Sequence, residues 1–365
     1  MSIKIQRFHM VNKKYLFKYL IDKLYEKNYL NLDELVFILD NVHIYGREYL
    51  MEKADETRRR YYGRKVYLRG LIEVSNYCRR QCKYCGINAL NKKVHRYRLT
   101  KEEILRRCQV GYELGFRTFV LQGGEDSYYS DNFLVDLIGE IKDRYKDAAL
   151  TLSLGERSYE SYKSLYMAGA DRYLLRHETI NRELFEEIHI NSNYDERIEA
   201  LWNLKEIGYQ VGAGFMVGIP KQTKEDLARD LLFLKELEPE MVGIGPFIPH
   251  RDTIYRDERP GTLEDTITLL ALTRLFLPKA LIPATTALAS IHPHGRELGL
   301  SAGANVVMPN LSPPDVRKDY SLYDGKVSTG YEAAEFRKEL EESIGRIGYA
   351  VDMSRGDYIE WERAL

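Results

Sequence analysis

From Val66 to Met308 the chain alternates short apolar runs with longer stretches of helical periodicity. The apolar runs are Val66–Val74, Thr118–Leu121, Ala149–Leu154, Arg172–Leu175, Gln210–Val217, Met241–Phe247, Leu281–Ala284 and Asn305–Met308. Helical patterns fall between them, at Thr100–Leu114, Asp131–Tyr145, Ser158–Ala168, Arg182–Ile207, Thr223–Leu237, Thr262–Leu275 and Gly295–Ser301. Parallel strands need a crossover between them, and a helix is the usual one, so this order predicts a parallel sheet covered by helices. Eight such units over about 250 residues match the size of a closed barrel. The expected fold is therefore α/β, a complete (β/α)8 TIM-type barrel. An open doubly wound sheet is the alternative, because periodicity does not establish closure. Thr100 with Glu103 predicts a capping box at the first helix after the first strand.

Residues 1–62 read as an N-terminal helical extension, 63–330 as the barrel, and 331–365 as one more helix with a polar tail. In the extension, Asn31 followed by Asp33 and Glu34 marks a helix start. A further helix fits Gly46–Arg60, and its closing run Arg58–Arg60 reads as a solvated helix end. The chain has 365 residues, 44% of them hydrophobic, and a formal net charge of −1, which gives no general argument for nucleic-acid binding. Four cysteines in that length are no disulfide framework, and a reducing cytoplasm is the expected setting. No apolar run approaches the roughly 20 residues that span a bilayer, and no signal-peptide core is visible near the N-terminus. Tyrosines (28) outnumber phenylalanines (12), and most are expected simply to pack.

Three of the cysteines, Cys78, Cys82 and Cys85, stand as C-x3-C-x2-C in LIEVSNYCRRQCKYCG, directly after the first strand. Cys108 lies apart in a helical pattern. Thiolates bind soft metal centres, and closely spaced ones can hold one side of an iron–sulfur cluster. A four-iron cubane takes four ligands; a loop offering three leaves one iron open. The alternatives are a zinc knuckle completed by a residue such as His95, or cysteines that merely pack.

In a barrel, the residues just after each strand face the active site. The second strand ends in Gln122-Gly123-Gly124-Glu125-Asp126, where glycines permit close backbone approach and a carboxylate can receive an ammonium. The third ends in Thr151-Leu152-Ser153-Leu154-Gly155-Glu156, and the fourth in Arg176-His177-Glu178. Three ionisable groups in a row are expensive to bury unpaired, so they form an ion-pair network or contact a ligand. Arg197 could grip a carboxylate, although by itself it reads as a solvated helical residue. Gly212–Pro220 is glycine-rich without the lysine or spacing of a phosphate loop. His250 reads as a satisfied loop histidine. Thr285-Thr286 could bind an anionic or cyanide-like group, or simply cap a helix.

The cysteine spacing, with Tyr84 before the last cysteine, resembles the radical S-adenosylmethionine (SAM) family. More specifically, LQGGED (121–126), TLSLGE (151–156), DRYLLRHET (171–179), MVGIGPFIPH (241–250), IPATTA (282–287), GANVVMPN (303–310) and LYDGK (322–326) resemble the FeFe-hydrogenase maturases of the HydE family over residues 66–326. That resemblance implies one 4Fe–4S cluster with an open iron on Cys78, Cys82 and Cys85, and reductive cleavage of SAM to a 5′-deoxyadenosyl radical. It places Tyr84, Gln122, Gly124, Glu125, Glu178, Arg197 and Met241 around SAM, with Glu125 on the amino group, Glu178 on the ribose and Arg197 on the carboxylate. It places Thr151, Arg176, Thr285, Thr286, Met308 and Tyr323 around an inner cavity. The implied task is assembly of the diiron subcluster of the hydrogenase. The implied substrate is a cysteine-bound Fe(CO)2(CN) precursor supplied by the maturase HydG, and the product passes to HydF. A reductant such as ferredoxin or flavodoxin is implied as well.

No cysteine follows Cys108, so a second cluster on C-terminal cysteines is not expected, and cysteine arithmetic excludes a biotin synthase. A methylornithine synthase-like mutase shares the cysteine loop and stays open as the enzymatic alternative. A non-catalytic carrier of an iron–sulfur precursor is the alternative from another class.

Overall fold

The computed structural model describes residues 2–327 and 334–363, with side chains from residue 12 onward. Three helices come first, Ser2–Lys27, Leu32–Tyr45 and Glu48–Tyr62. Asn31 starts the second as expected: its side chain accepts from the Glu34 amide, and the Glu34 carboxylate accepts from the Asn31 amide, both at 3.0 Å. The third differs at its end. Arg58 is fully buried, stacked 3.9 Å from the Tyr349 ring and donating to the Lys65 carbonyl at 3.2 Å. Arg58 thus ties the helix to the C-terminal segment, with Arg59 also in reach of Tyr349. Runs of charge on a helix do not reveal which member turns inward.

Among the described residues eleven strands follow: β1 Lys65–Leu68, β2 Gly70–Ser75, β3 Thr118–Gly123, β4 Ala149–Ser153, β5 Arg172–Leu174, β6 Gln210–Ala213, β7 Met216–Val217, β8 Met241–Val242, β9 Gly245–Pro246, β10 Val306–Val307 and β11 Ala350–Asp352. β2, β3, β4, β5, β6 and β8 form a parallel sheet of six, in chain order. β1 lies parallel between β10 and β11, and β7 pairs parallel with β9. Isolated parallel bridges join Met241 to Leu281, Pro283 to Val306 and Leu71 to Asn310. The expected strand at Leu281–Ala284 is present only through two of these bridges. All six residues of β2 are buried, as expected for a parallel strand covered on both faces. Intervening helices supply the cover, Lys101–Glu113 on β2 and Tyr194–Ile207 on β6. The capping box at Thr100 and Glu103 is formed.

Two local differences from expectation matter for the site. The helix expected over Arg182–Ile207 is two, Arg182–Ile188 and Tyr194–Ile207. The break is written in Asn191-Ser192-Asn193, where the Asn193 side chain caps the second helix by accepting from the amides of Asp195 and Glu196. The C-terminal tail is also more than polar chain. After the helix Arg337–Arg346 and β11, it crosses the starts of the strands. Thr118, Arg172 and Gln210, the first residues of β3, β5 and β6, bond to it: the Arg355 carbonyl accepts from Thr118 Oγ1 (2.8 Å) and Arg172 Nη2 (2.6 Å), and Asp357 accepts from Arg172 Nη2 (2.6 Å) and Gln210 Nε2 (2.7 Å). The stretch 331–333 and residues 364–365 of the expected C-terminal segment, and its boundary at 330, lie outside the described residues. Among the described residues, no helix is long and apolar enough to cross a membrane.

Candidate active site

The loops after the strands converge on one cavity of about 310 Å3. Its lining brings together Cys78, Cys82, Tyr84, Cys85, Gln122, Gly124, Glu125, Arg176, Glu178, Arg197, Thr285 and Tyr323 from loops spread along most of the barrel sequence. Every strand-end motif singled out in the sequence except that around Met308 therefore reaches the same space, the third strand through Ser153 and Gly155 and the sixth through Gly245 to Ile248, although Thr151 and Met241 themselves do not.

The cysteine loop is braced from two sides. Gly124 sits against it so closely that a Cβ there would fall 2.6 Å from Cys78 Cβ and nearer still to the Tyr77 carbonyl oxygen. The amides of Arg80 and Glu125 both point at Cys78 Sγ, at 3.4 Å. On the other side lies the break between the two helices. Cys82 bridges His189, the Lys83 amide donates to the Ile188 carbonyl (2.9 Å), and Asn191 bonds to the backbones of Gln81 and Arg79. His189 Nδ1 faces the Phe185 carbonyl at 3.3 Å and Nε2 faces the Tyr84 hydroxyl at 3.1 Å. That pattern fits a neutral ring donating through Nδ1, in accord with burial, which holds His189 well below its ordinary range. Burial also pushes all three thiols up, Cys85 to about 12. Without a cation to stabilise the thiolates, they stay protonated, and loading a metal centre must release those protons.

Arg176, His177 and Glu178 part company. Arg176 and Glu178 face the cavity, with Arg176 Nη2 3.1 Å from Glu178 Oε2. His177 turns the other way, into a buried pocket with Phe233 and Asp230, its Nε2 3.5 Å from Asp230 Oδ1. Burial holds His177 down to about 3 and pushes the Asp230 carboxyl up, so the pair is neutral. Glu178 has φ +65°, in the left-handed region that a branched chain seldom occupies, and backbone bonds to Gly214 and Met216 hold it there.

Several buried polar atoms in this region lack a hydrogen-bond partner, Thr151 Oγ1, Thr285 Oγ1 and Arg176 Nε, while Arg176 Nη2 and Glu178 Oε2 meet each other as an ion pair without a well-directed hydrogen bond. Buried polar groups are normally satisfied, so such a concentration marks where a polar ligand belongs. Thr285 is informative because it occupies the N-cap position of the helix Thr286–Ile291 and yet makes no side-chain cap. Glu125 and Arg197 are already engaged. Glu125 Oε2 accepts from Arg79 (2.9 Å) and Arg80 (2.7 Å), and Arg197 donates to Glu156 (2.5 Å) and to the Arg176 carbonyl (2.7 Å).

Met241 and Met308 lie deeper, in a cluster with Tyr62, Tyr67, Leu281 and Val306, and Met241 Sδ is 2.9 Å from Arg69 Nη1. Thr286 opens its short helix, and Thr151 is buried in β4. Neither lines the cavity, nor do Met241 and Met308. His250 caps its own turn, accepting from the Asp252 amide at 3.1 Å, and His95 is 80% exposed against Asp319, so neither is aimed at the cysteines.

The family model for the radical SAM superfamily matches residues 72–234. The HydE subunit of FeFe hydrogenase maturation from Thermotoga maritima is 50% identical over 280 residues, 77% of this chain and 80% of that one. The chain belongs to the HydE family of radical SAM proteins. A 3-methylornithine synthase from Methanosarcina barkeri is 31% identical, over 83% of this chain and 86% of its own. Among solved structures, methylornithine synthase superposes with a TM-score of 0.80 at 28% identity, covering 91% of this chain and 97% of its own. The FeFe-hydrogenase maturase HydG superposes with a TM-score of 0.78 at 20% identity, covering 99% and 82%; at that identity it speaks to the fold.

Membership in the radical SAM family implies a 4Fe–4S cluster and SAM, and the residues present fit both. Three thiols on one loop face a cavity whose far wall holds unpaired polar atoms. The sequence reading missed several residues of this wall. Tyr320, buried, accepts from Gln122 Nε2 at 3.3 Å, and Ser153, His189 and Met216 also line the cavity. Nothing in their spacing distinguishes them; only the Asn-Ser-Asn breaker beside His189 hinted that the helix stops there to make a contact.

Proposed function

We propose that this radical SAM enzyme of FeFe-hydrogenase maturation works in a (β/α)8 barrel closed through residues 281–284 and β10, with residues 1–62 as a helical extension and the C-terminal segment as its floor. The three isolated parallel bridges support closure. Cys78, Cys82 and Cys85 hold the cluster and leave one iron open to SAM. Bound there, cluster and SAM supply one-electron cleavage of the sulfonium, giving methionine and a 5′-deoxyadenosyl radical.

The chain's own residues do the rest. Gly124 and Asn191 fix the cysteine loop. Glu178, held by its strained backbone, receives the ribose hydroxyls. Glu125 receives the amino group by exchanging one of its arginine partners, and Arg197 lies ready for the carboxylate. Arg176, whose Nη2 pairs with Glu178 while its Nε has no partner, and the unpartnered Thr285 hydroxyl stand across the cavity and bind an anionic or cyanide-bearing substrate, read as a cysteine-bound Fe(CO)2(CN) precursor. HydG as supplier and HydF as recipient are part of this reading, as is a ferredoxin or flavodoxin. The observation that carries it is the joining of the thiols to Arg176 and the unpartnered Thr285 hydroxyl in one cavity.

The test is maturation of an apo FeFe hydrogenase by HydG, HydF and this chain. Hydrogenase activity that depends on this chain, and is lost in Arg176→Met while the fold is kept, supports the reading. Activation without the chain refutes it, as does conversion of L-lysine to methylornithine in place of maturation.

A further inference from the structure

The cysteine loop has a second face. Cys82 lines the internal cavity and also a separate surface basin of about 390 Å3. Five cationic side chains wall this basin, Lys83, Lys92, Lys93, Arg251 and Arg256. Lys93, Arg251 and Arg256 are 78%, 74% and 60% exposed. They pair with Asp252 (2.6 Å), Asp324 (2.9 Å) and Asp257 (3.3 Å), and exposed pairs of this kind exchange readily for another anion. Lys92 donates to the Ala89 carbonyl, and Lys83 stands over the Tyr255 ring, whose hydroxyl meets Glu187, so five cations face four carboxylates. Two aliphatic side chains in the same basin, Leu90 and Ile254, are 51% and 57% exposed. The wall is tied to the cysteine loop, since the Tyr255 amide donates to the Lys83 carbonyl at 3.2 Å.

We propose that this basin is the docking port for an acidic, one-electron protein reductant. The inference rests on the radical SAM reading of the cysteine loop and adds where its electron enters. SAM cleavage consumes one electron per turnover. SAM and substrate occupy the inner side of the loop, so the electron arrives through the outer side, where Cys82 is the thin part of the wall. A cationic rim around a small aliphatic centre suits a transient redox encounter, in which charge steers and a small apolar contact orients. One electron leaves the donor, taking a reduced flavin to its semiquinone, and arrives on the thiolate-held cluster; no bond to the chain forms or breaks.

The test uses an immobilised acidic flavodoxin and the anaerobically reconstituted chain, with binding read by interferometry at 50 and 200 mM salt. Lys92→Glu/Arg256→Glu should weaken Kd at least tenfold and flatten the salt dependence. The same charge change on the helix Lys224–Leu237, Lys224→Glu/Arg229→Glu, should leave Kd within twofold. 5′-Deoxyadenosine formation driven by reduced flavodoxin should fall in the first variant, and dithionite-driven formation should stay within twofold of wild type. Wild-type binding too weak to measure, equal Kd in the basin variant, or equal weakening by the distant variant would overturn the port. Absence of dithionite-driven cleavage by wild type would instead overturn the radical SAM reading, whatever the binding shows.

Discussion

Asp357→Asn tests whether the C-terminal tail holds the barrel floor together by charge. Asp357 accepts from Arg172 (2.6 Å), Arg355 (2.7 Å) and Gln210 (2.7 Å). Arg172 is fully buried, and its other partners are neutral, the Arg355 carbonyl and Thr118 Oγ1. The substitution keeps the shape and strands that charge. Breaking a buried pair costs about 3–5 kcal/mol, and the lower end applies because Asp357 remains 25% exposed. At about 2 °C per kcal/mol for a chain this long, Tm should fall by roughly 6 °C at pH 7. Arg172, Arg355 and Gln210 hold the Asp357 carboxyl far below its ordinary range against the upward push of burial. A carboxyl depressed in the folded state stabilises above its unfolded value, about 3.9, and loses that contribution as pH falls toward the folded one. The gap between wild type and variant should therefore be constant from pH 7 to 5 and shrink below about pH 4. Urea midpoints across that range measure it. A gap that is absent at pH 7, or unchanged down to pH 3, would refute the reasoning.

Other substitutions bear on the site. Gly124→Ala forces a methyl group into the Tyr77 carbonyl and Cys78, at about 1–3 kcal/mol or more, and should reduce iron bound after reconstitution to less than half of wild type. Thr285→Val removes a buried hydroxyl that has no partner; stability should hold or rise by about 1 kcal/mol in chemical denaturation while hydrogenase maturation falls at least tenfold. Lys326→Met leaves Glu73, fully buried and 2.5 Å from Lys326 Nζ, with Asn310 as its side-chain partner; a loss of about 3–5 kcal/mol should appear as a lower Tm, recovered in part by Glu73→Gln on the same background.

The parallel sheet was legible because buried parallel strands leave continuous apolar runs, and the cysteine loop because metal ligands must be close in sequence to wrap a cluster. Asn31 and Thr100 were legible as helix starts for a local reason, since a capping box needs only four residues. What escaped was decided by tertiary contact. Arg58 and Arg60 are alike in sequence, yet only Arg58 meets the Tyr349 ring from nearly three hundred residues away. His177 sits between two cavity-facing residues, yet turns into a buried pocket with Asp230 and Phe233, a contact remote in sequence that local spacing does not announce. The tail was read as polar chain because its partners, Arg172 and Gln210, lie at strand starts remote in sequence. Tyr320 was one tyrosine among 28 until the loops after the strands closed around Gln122.

The three-cysteine loop should support reductive cleavage of SAM. The direct measurement is 5′-deoxyadenosine released by anaerobically reconstituted protein given dithionite and SAM, with Cys82→Ala alongside. Deoxyadenosine is expected from wild type and none from the variant. A wild-type protein that binds a four-iron cluster and never cleaves SAM, or that takes up only zinc, would contradict it.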